Sequence, residues 1–267
     1  MNPYVSCDFE YRGTSESKLD LICCSLTFGD SFEEYWLRDD KSKLKARLKE
    51  LRETHTFLVW NYVAEGQSFI SLGLHPCKFK VIDLHIEYKM LLNHYHKYST
   101  GSHLYKGKII NVEVPKYGGK KSDQVLANMA AGCFKLLGVK IDTDHKDEMR
   151  DICIYGTPQE LEQNKKAIQD YCTSDTVHLI PMWAVIRKEY KKYFAREDKG
   201  VQYKEVHLRA DTMARTALMT SAGYPVDIEK MKNLAKNIKP MLKELCEDIN
   251  SQFDYDLFNW NNKEQRY

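Results

Sequence analysis

The chain has 267 residues, 43 % of them hydrophobic, enough to fill one sizeable core or a core with an appendage. Its 40 Lys and Arg against 38 Asp and Glu leave a formal charge of +2, which excludes a global field strong enough to announce nucleic acid, so any basic groove must be local. Eight cysteines without a C-x-x-C pair argue against a zinc ribbon or a dithiol redox site and predict reduced thiols. With no basic-then-apolar leader and no apolar run of ~18 residues, the expectation is a soluble, cytoplasmic protein with no membrane partner.

Val-, Ile- and aromatic-bearing runs at 4–11 and 19–27, joined by a polar segment, predict two antiparallel strands. Residues 39–53 set Leu44, Leu48 and Leu51 in a heavily charged stretch, the stripe of a surface helix. A buried strand at 56–60, a helix at 62–72, a short strand at 80–82 and a helix at 84–92 follow, and this alternation predicts α/β layers. Residues 94–121 mix His, Tyr, Lys, Gly and Ser without a period, which predicts a loop excursion with at most a short hairpin around 109–114. Helices are predicted at 122–137, at 157–172 with Gly156-Thr157-Pro158 as a start signal, and at 174–194. The polar stretch 197–206 reads as a linker with a boundary near residue 200, and helices at 208–222 and 227–250 are split by Gly223-Tyr224-Pro225.

Asp8 and Glu10 stand two apart on the first predicted strand, so both carboxylates leave one face while Cys7 and Phe9 point to the other. Such a pair repels, and one member takes up a proton unless a cation compensates both; oxygen donors suit a hard ion such as Mg2+ or Mn2+. The spacing recurs at Asp227 and Glu229, so the pair alone is weak. Asn61 to Glu65 begins where a core strand ends, which is where α/β proteins place their sites, although Asn61 also suits a helix cap. Tyr171 and Asp175 are four apart near a helix junction and can share one face. With no H-x-x-x-H pair, no G-x-S-x-G elbow and no phosphate-cradling Gly loop, zinc hydrolysis, serine catalysis and nucleotide cofactors have no support.

The order of these three elements, with the flanking segments 146–157 (KDEMRDICIYGT) and 170–183 (DYCTSDTVHLIPMW), resembles the 3'-5' exonuclease domain of family-A DNA polymerases, bacteriophage ones in particular, in the tyrosine branch of the DEDD superfamily. Residues 209–234 resemble the helical lead-in to the polymerase domain, and 257–267 resemble its start. The resemblance implies an α/β, ribonuclease H-like mixed central sheet flanked by helices over 1–200, followed by a helical segment over 201–267. It implies that Asp8, Glu10, Glu65 and Asp175 hold two divalent cations, Mg2+ or Mn2+, that Tyr171 helps position the attacking water, and that Asn61 and Phe9 meet the single-stranded 3' end of DNA. The activity implied is proofreading-type removal of 3' nucleotides beside a polymerase domain or subunit. Glu65 stands where the family commonly has Asp, one methylene longer, with Asp83 as the runner-up acid. The competing readings are a catalytically weak module that binds single strands and an RNA-directed exonuclease. Tyr95, His96, Lys97, Tyr98 and Tyr105 are candidates for stacking on bases and contacting phosphates.

Overall fold

A computed structural model describes residues 3–13, 19–94, 101–105, 108–112, 128–141, 143–193, 204–223 and 225–253. In chain order its strands are β1 (Tyr4–Gly13), β2 (Leu19–Thr27), β3 (Phe32–Trp36), β4 (Thr56–Val59), β5 (Val81–Asp83), β6 (Gly101–Tyr105) and β7 (Lys108–Val112). Its α-helices are α1 (Ser42–Thr54), α2 (Tyr62–Ser71), α3 (Leu84–His94), α4 (Met129–Leu137), α5 (Thr143–Tyr155), α6 (Pro158–Gln163), α7 (Lys165–Thr176), α8 (Leu179–Tyr193), α9 (Lys204–Ala222) and α10 (Ile228–Asn250).

Five strands form a mixed sheet in the order β3-β2-β1-β4-β5. The first three pair antiparallel, and β4 and β5 continue parallel to β1, which is the ribonuclease H-like arrangement expected. Strand β3 was not foreseen: it is an edge strand whose centre is Glu33-Glu34, so charge that discourages edge-to-edge pairing also hides it from a hydrophobic reading. The short strand β4 is buried at every residue, as a strand covered on both faces must be.

On one face Cys7, Phe9, Leu26, Phe57 and Val81 pack against the Leu44, Leu48 and Leu51 stripe of α1, against Tyr62 and Phe69 of α2, and against Ala210 and Ala214 of α9. Small residues let α9 lie close on α2: a Cβ added to Gly66 would stand 2.7 Å from the Ala217 Cβ. On the other face Leu58 and Ile82 meet α3, α4 and α8, while Ile22 and Cys23 meet Met149 and Cys153 of α5, Leu161 of α6, and Ile168 and Cys172 of α7. The start signal at Gly156-Thr157-Pro158 works as a capping box, Thr157 and Glu160 satisfying each other's backbone N–H groups. The helix expected over 157–172 is interrupted at Asn164, which closes α6 and opens α7. A hairpin forms earlier than the one expected around 109–114: β6 pairs antiparallel with β7 over 101–112, and 113–114 lie outside the described residues.

The chain divides into two compact units, Met1–Ala222 and Gly223–Tyr267. In the second, Asp227 caps α10 by accepting from Lys230 N at 3.0 Å, so this second D-x-E is a helix start. No helix among the described residues is long and apolar enough to cross a membrane.

Candidate active site

Strand β1 sends Asp8 and Glu10 to the face under α7 and the Cys7 and Phe9 side chains to the face under α2. Asp8 stands across from Ser25 and Glu10 from Cys23, and just beyond Glu10 the register slips: Tyr11 pairs with Leu21, leaving one residue of β2 unmatched. Such a bulge bends the strand and re-aims the side chains beside it. Helix α7 is fixed over this face by hydroxyls. Ser25 and Thr173 share a hydrogen bond of 3.0 Å, Thr27 and Thr176 one of 2.6 Å, and Thr173 also donates to Glu34 at 2.9 Å. With α7 held in that rotation, Cys172 faces the sheet and donates to Asp8 Oδ2 at 3.6 Å. Tyr171 and Asp175 lie half-buried, one helical turn apart.

The ligand atoms of Asp8, Glu10 and Cys172 lie within 4.8 Å of one another. Burial and the Asp175 charge push the Asp8 carboxyl up to about 7. Burial and then Asp8 hold Glu10 well above the usual carboxylate range. Asp175 is also raised by burial, against the opposing pull of the Lys146 ammonium bonded to its Oδ1. Burial, followed by the Glu10 charge, keeps the Tyr171 phenol protonated far above neutral pH.

Glu65 enters from the first turn of α2, 4 % exposed, and its Oε2 finds no hydrogen-bond partner among the described residues. Its carboxyl is raised by burial and then by the Asp8 charge. An orphaned, buried carboxylate oxygen in the field of a crowded acid pair is the environment a hard divalent cation relieves, and the oxygen donors suit Mg2+ or Mn2+. Asp83, the runner-up acid, is occupied otherwise: Oδ2 accepts from Tyr62 N at 2.9 Å, and Oδ1 from His85 N at 3.1 Å and Ile86 N at 3.4 Å. It caps two helices.

Asn61 is exposed at the end of β4 with φ 110°, a left-handed conformation uncommon for a residue with a Cβ, and its side chain makes no capping bond. Asp83 takes over the capping of α2 and leaves the Asn61 amide turned to solvent. Phe9, expected to meet the strand end, is 5 % exposed, and its ring packs edge-on against Phe69 at 5.8 Å on the core face. Tyr95, His96, Lys97 and Tyr98 lie outside the described residues, as does the side chain of Tyr105. Two neighbours of the acids were missed by the sequence reading, Cys172 and Lys146. Both fall inside segments that carried the resemblance, but no spacing rule singles them out.

No protein-family profile and no curated protein matches this sequence. Solved structures match it in fold. NrnC from Brucella melitensis with bound Mg2+ superposes with a TM-score of 0.53 at 15 % identity, covering 85 % of this chain and 90 % of that one. The same protein bound to pGG gives 0.51 at 15 % identity, covering 85 % and 90 %. RNase D of Escherichia coli, an exoribonuclease involved in structured RNA processing, gives 0.50 at 15 % identity, covering 82 % of this chain and 46 % of that one. The chain therefore shares the ribonuclease H-like fold of these nucleases.

Proposed function

We propose that the chain is a metal-dependent 3'-5' exonuclease. What supports this reading is the grouping of Asp8 and Glu10 with Cys172 on one face of the sheet, with the charges of Asp175 and the orphaned Glu65 both acting on Asp8, and a Tyr171 phenol that stays protonated. Two divalent cations on these carboxylates would supply the activation of water and the charge neutralisation that phosphodiester hydrolysis needs. Asp8, Glu10, Glu65 and Asp175 would hold them, Asp8 and Glu10 from a strand of the central sheet. Tyr171 cannot serve as a base while its phenol stays protonated, so its hydroxyl donates a hydrogen bond that orients the attacking water. Asn61, at the exposed end of β4, meets the terminal nucleotide.

For the substrate, the resemblance of the C-terminal segment to a polymerase lead-in supports DNA and a proofreading role beside a polymerase domain or subunit. The fold neighbours support RNA, one being named an exoribonuclease and another bound to pGG. Incubation of 5'-labelled single strands of both kinds with Mg2+ or Mn2+ separates the two. The expected result is a metal-dependent ladder of shortened products whose rate falls by roughly 10²–10³-fold in Asp8→Ala, matching the several kcal/mol that metal charge stabilisation provides. Retention of both strands without shortening would leave a binding module in place of an enzyme.

A further inference from the structure

Helix α5 carries Lys146 into the acid cluster. Its Nζ is bonded to Asp175 Oδ1, with the two side chains only 17 % and 15 % exposed, and it stands 5.6 Å from the centroid of the Tyr171 ring. The same ammonium opposes the carboxylate charges of Asp8 and Glu10 as well as Asp175. It therefore occupies the electrostatic place that a divalent cation would take at Asp175. Bound metal and this ammonium repel each other, so metal loading weakens the hold of Asp175 on Lys146. A four-carbon stem with rotatable donors can then turn to the next anion that arrives. In a site for strand ends, that anion is a phosphate.

We propose that Lys146 is a two-state residue, the counter-ion of Asp175 before metal binds and a contact to a non-bridging phosphate oxygen of the 3'-terminal nucleotide afterwards. The second half rests on the nuclease reading; the first does not. The half-buried pair explains why a lysine is tolerated among acids that would otherwise hold metal more tightly. It also makes metal and strand cooperative, because the ion frees the group that the strand then uses.

The test uses the full chain with Lys146→Met, which keeps the stem and removes the charge, and Lys146→Arg, which keeps the charge. Mn2+ affinity is read by electron paramagnetic resonance without nucleic acid. Strand affinity is read by fluorescence anisotropy of single-stranded DNA and RNA in Ca2+, over a series of salt concentrations. We expect Lys146→Met to bind Mn2+ about 3- to 10-fold more tightly, because its competitor is gone. We expect the same variant to bind a strand at least 5-fold more weakly, with a salt slope shallower by about 0.7, the value of one lost phosphate contact on a single strand. Lys146→Arg should restore the slope. Should Lys146→Met fail to fold, Lys146→Met/Asp175→Asn, which removes both charges of the pair, is compared with Asp175→Asn for the strand reading. Unchanged Mn2+ affinity overturns the counter-ion role, and an unchanged salt slope overturns the phosphate contact. A wild type that binds Mn2+ and strand yet shortens neither nucleic acid defeats the nuclease reading while these two binding measurements still decide on Lys146.

Discussion

At the scale of single residues the site is a store of unfavourable charge. A carboxyl whose folded pKa lies above its unfolded value keeps its proton in the native state over a range where the unfolded chain has lost it. For Asp8 that range runs from the ordinary ~4 to about 7, and Glu10, Glu65 and Asp175 shift the same way. The native state then binds more protons, so the stability these groups contribute is complete below pH ~4 and is lost as pH rises through the folded values. Metal-free protein in EDTA should therefore melt several degrees lower at pH 8 than at pH 5, and saturating Mg2+ should abolish the difference. Asp8→Asn should raise the EDTA melting temperature at pH 8, at ~2–4 °C for each kcal/mol relieved. Equal melting temperatures at the two pH values in EDTA would show that the acids do not crowd one another. Tyr171 is the converse case, a group with no charge to lose. Tyr171→Phe should slow strand shortening by about 10²-fold, the lower end for a lost general-acid or water-orienting contact, while Mn2+ affinity holds; undiminished turnover would remove the phenol from the mechanism.

At the scale of elements, the site depends on the rotation of α7, which is set by buried hydroxyls and not by its apolar face alone. Thr176→Val leaves the Thr27 hydroxyl without its 2.6 Å partner, a loss of ~1–3 kcal/mol for an unsatisfied buried group. Thermal melting should fall by several degrees, and strand shortening should fall by more than the unfolded fraction explains, because Asp175 sits one residue away. A variant as active and as stable as wild type would show that Ile168 and Cys172 suffice to seat the helix. The sequence carried the elements with a clean period: β1, β2, the leucine stripe of α1, and the alternation through α3. It hid β3 behind two glutamates and α5 behind a charged run whose buried residues, among those described, are Met149 and Cys153. The closeness of Asp8 and Glu10 was legible from strand alternation even though the spacing was common by itself. Phe9 divides the two kinds of reasoning: strand alternation placed it away from the carboxylates, as the structure does, whereas the resemblance put it at the strand end. Lys146 and Cys172 reach the acids only through tertiary packing, which no local pattern encodes.

At the scale of the molecule, a boundary near residue 200 would part α9 from the sheet, whereas the compact units divide after Ala222. Helix α9 supplies Ala210 and Ala214 to the core under α1 and α2, and Ala217 closes against Gly66. It also delivers Arg209, whose guanidinium makes paired bonds of 2.8 and 2.6 Å to Glu87, a carboxylate 1 % exposed that Tyr190 also contacts at 2.6 Å. Cutting the chain before α9 would leave Glu87 buried with its charge partner gone, at ~3–5 kcal/mol, and would strip apolar cover from Phe69 and Val81. Against a domain stability of ~5–15 kcal/mol the combined loss is decisive. A chain ending at Ala222 should unfold cooperatively and shorten strands within a few-fold of the full chain, whereas one ending at residue 203 should show neither a cooperative melt nor activity. If the shorter chain melts at the same temperature as the longer, α9 is an accessory to the nuclease fold; if it does not fold, the helix that resembles a lead-in to another domain is in physical terms the last layer of this one.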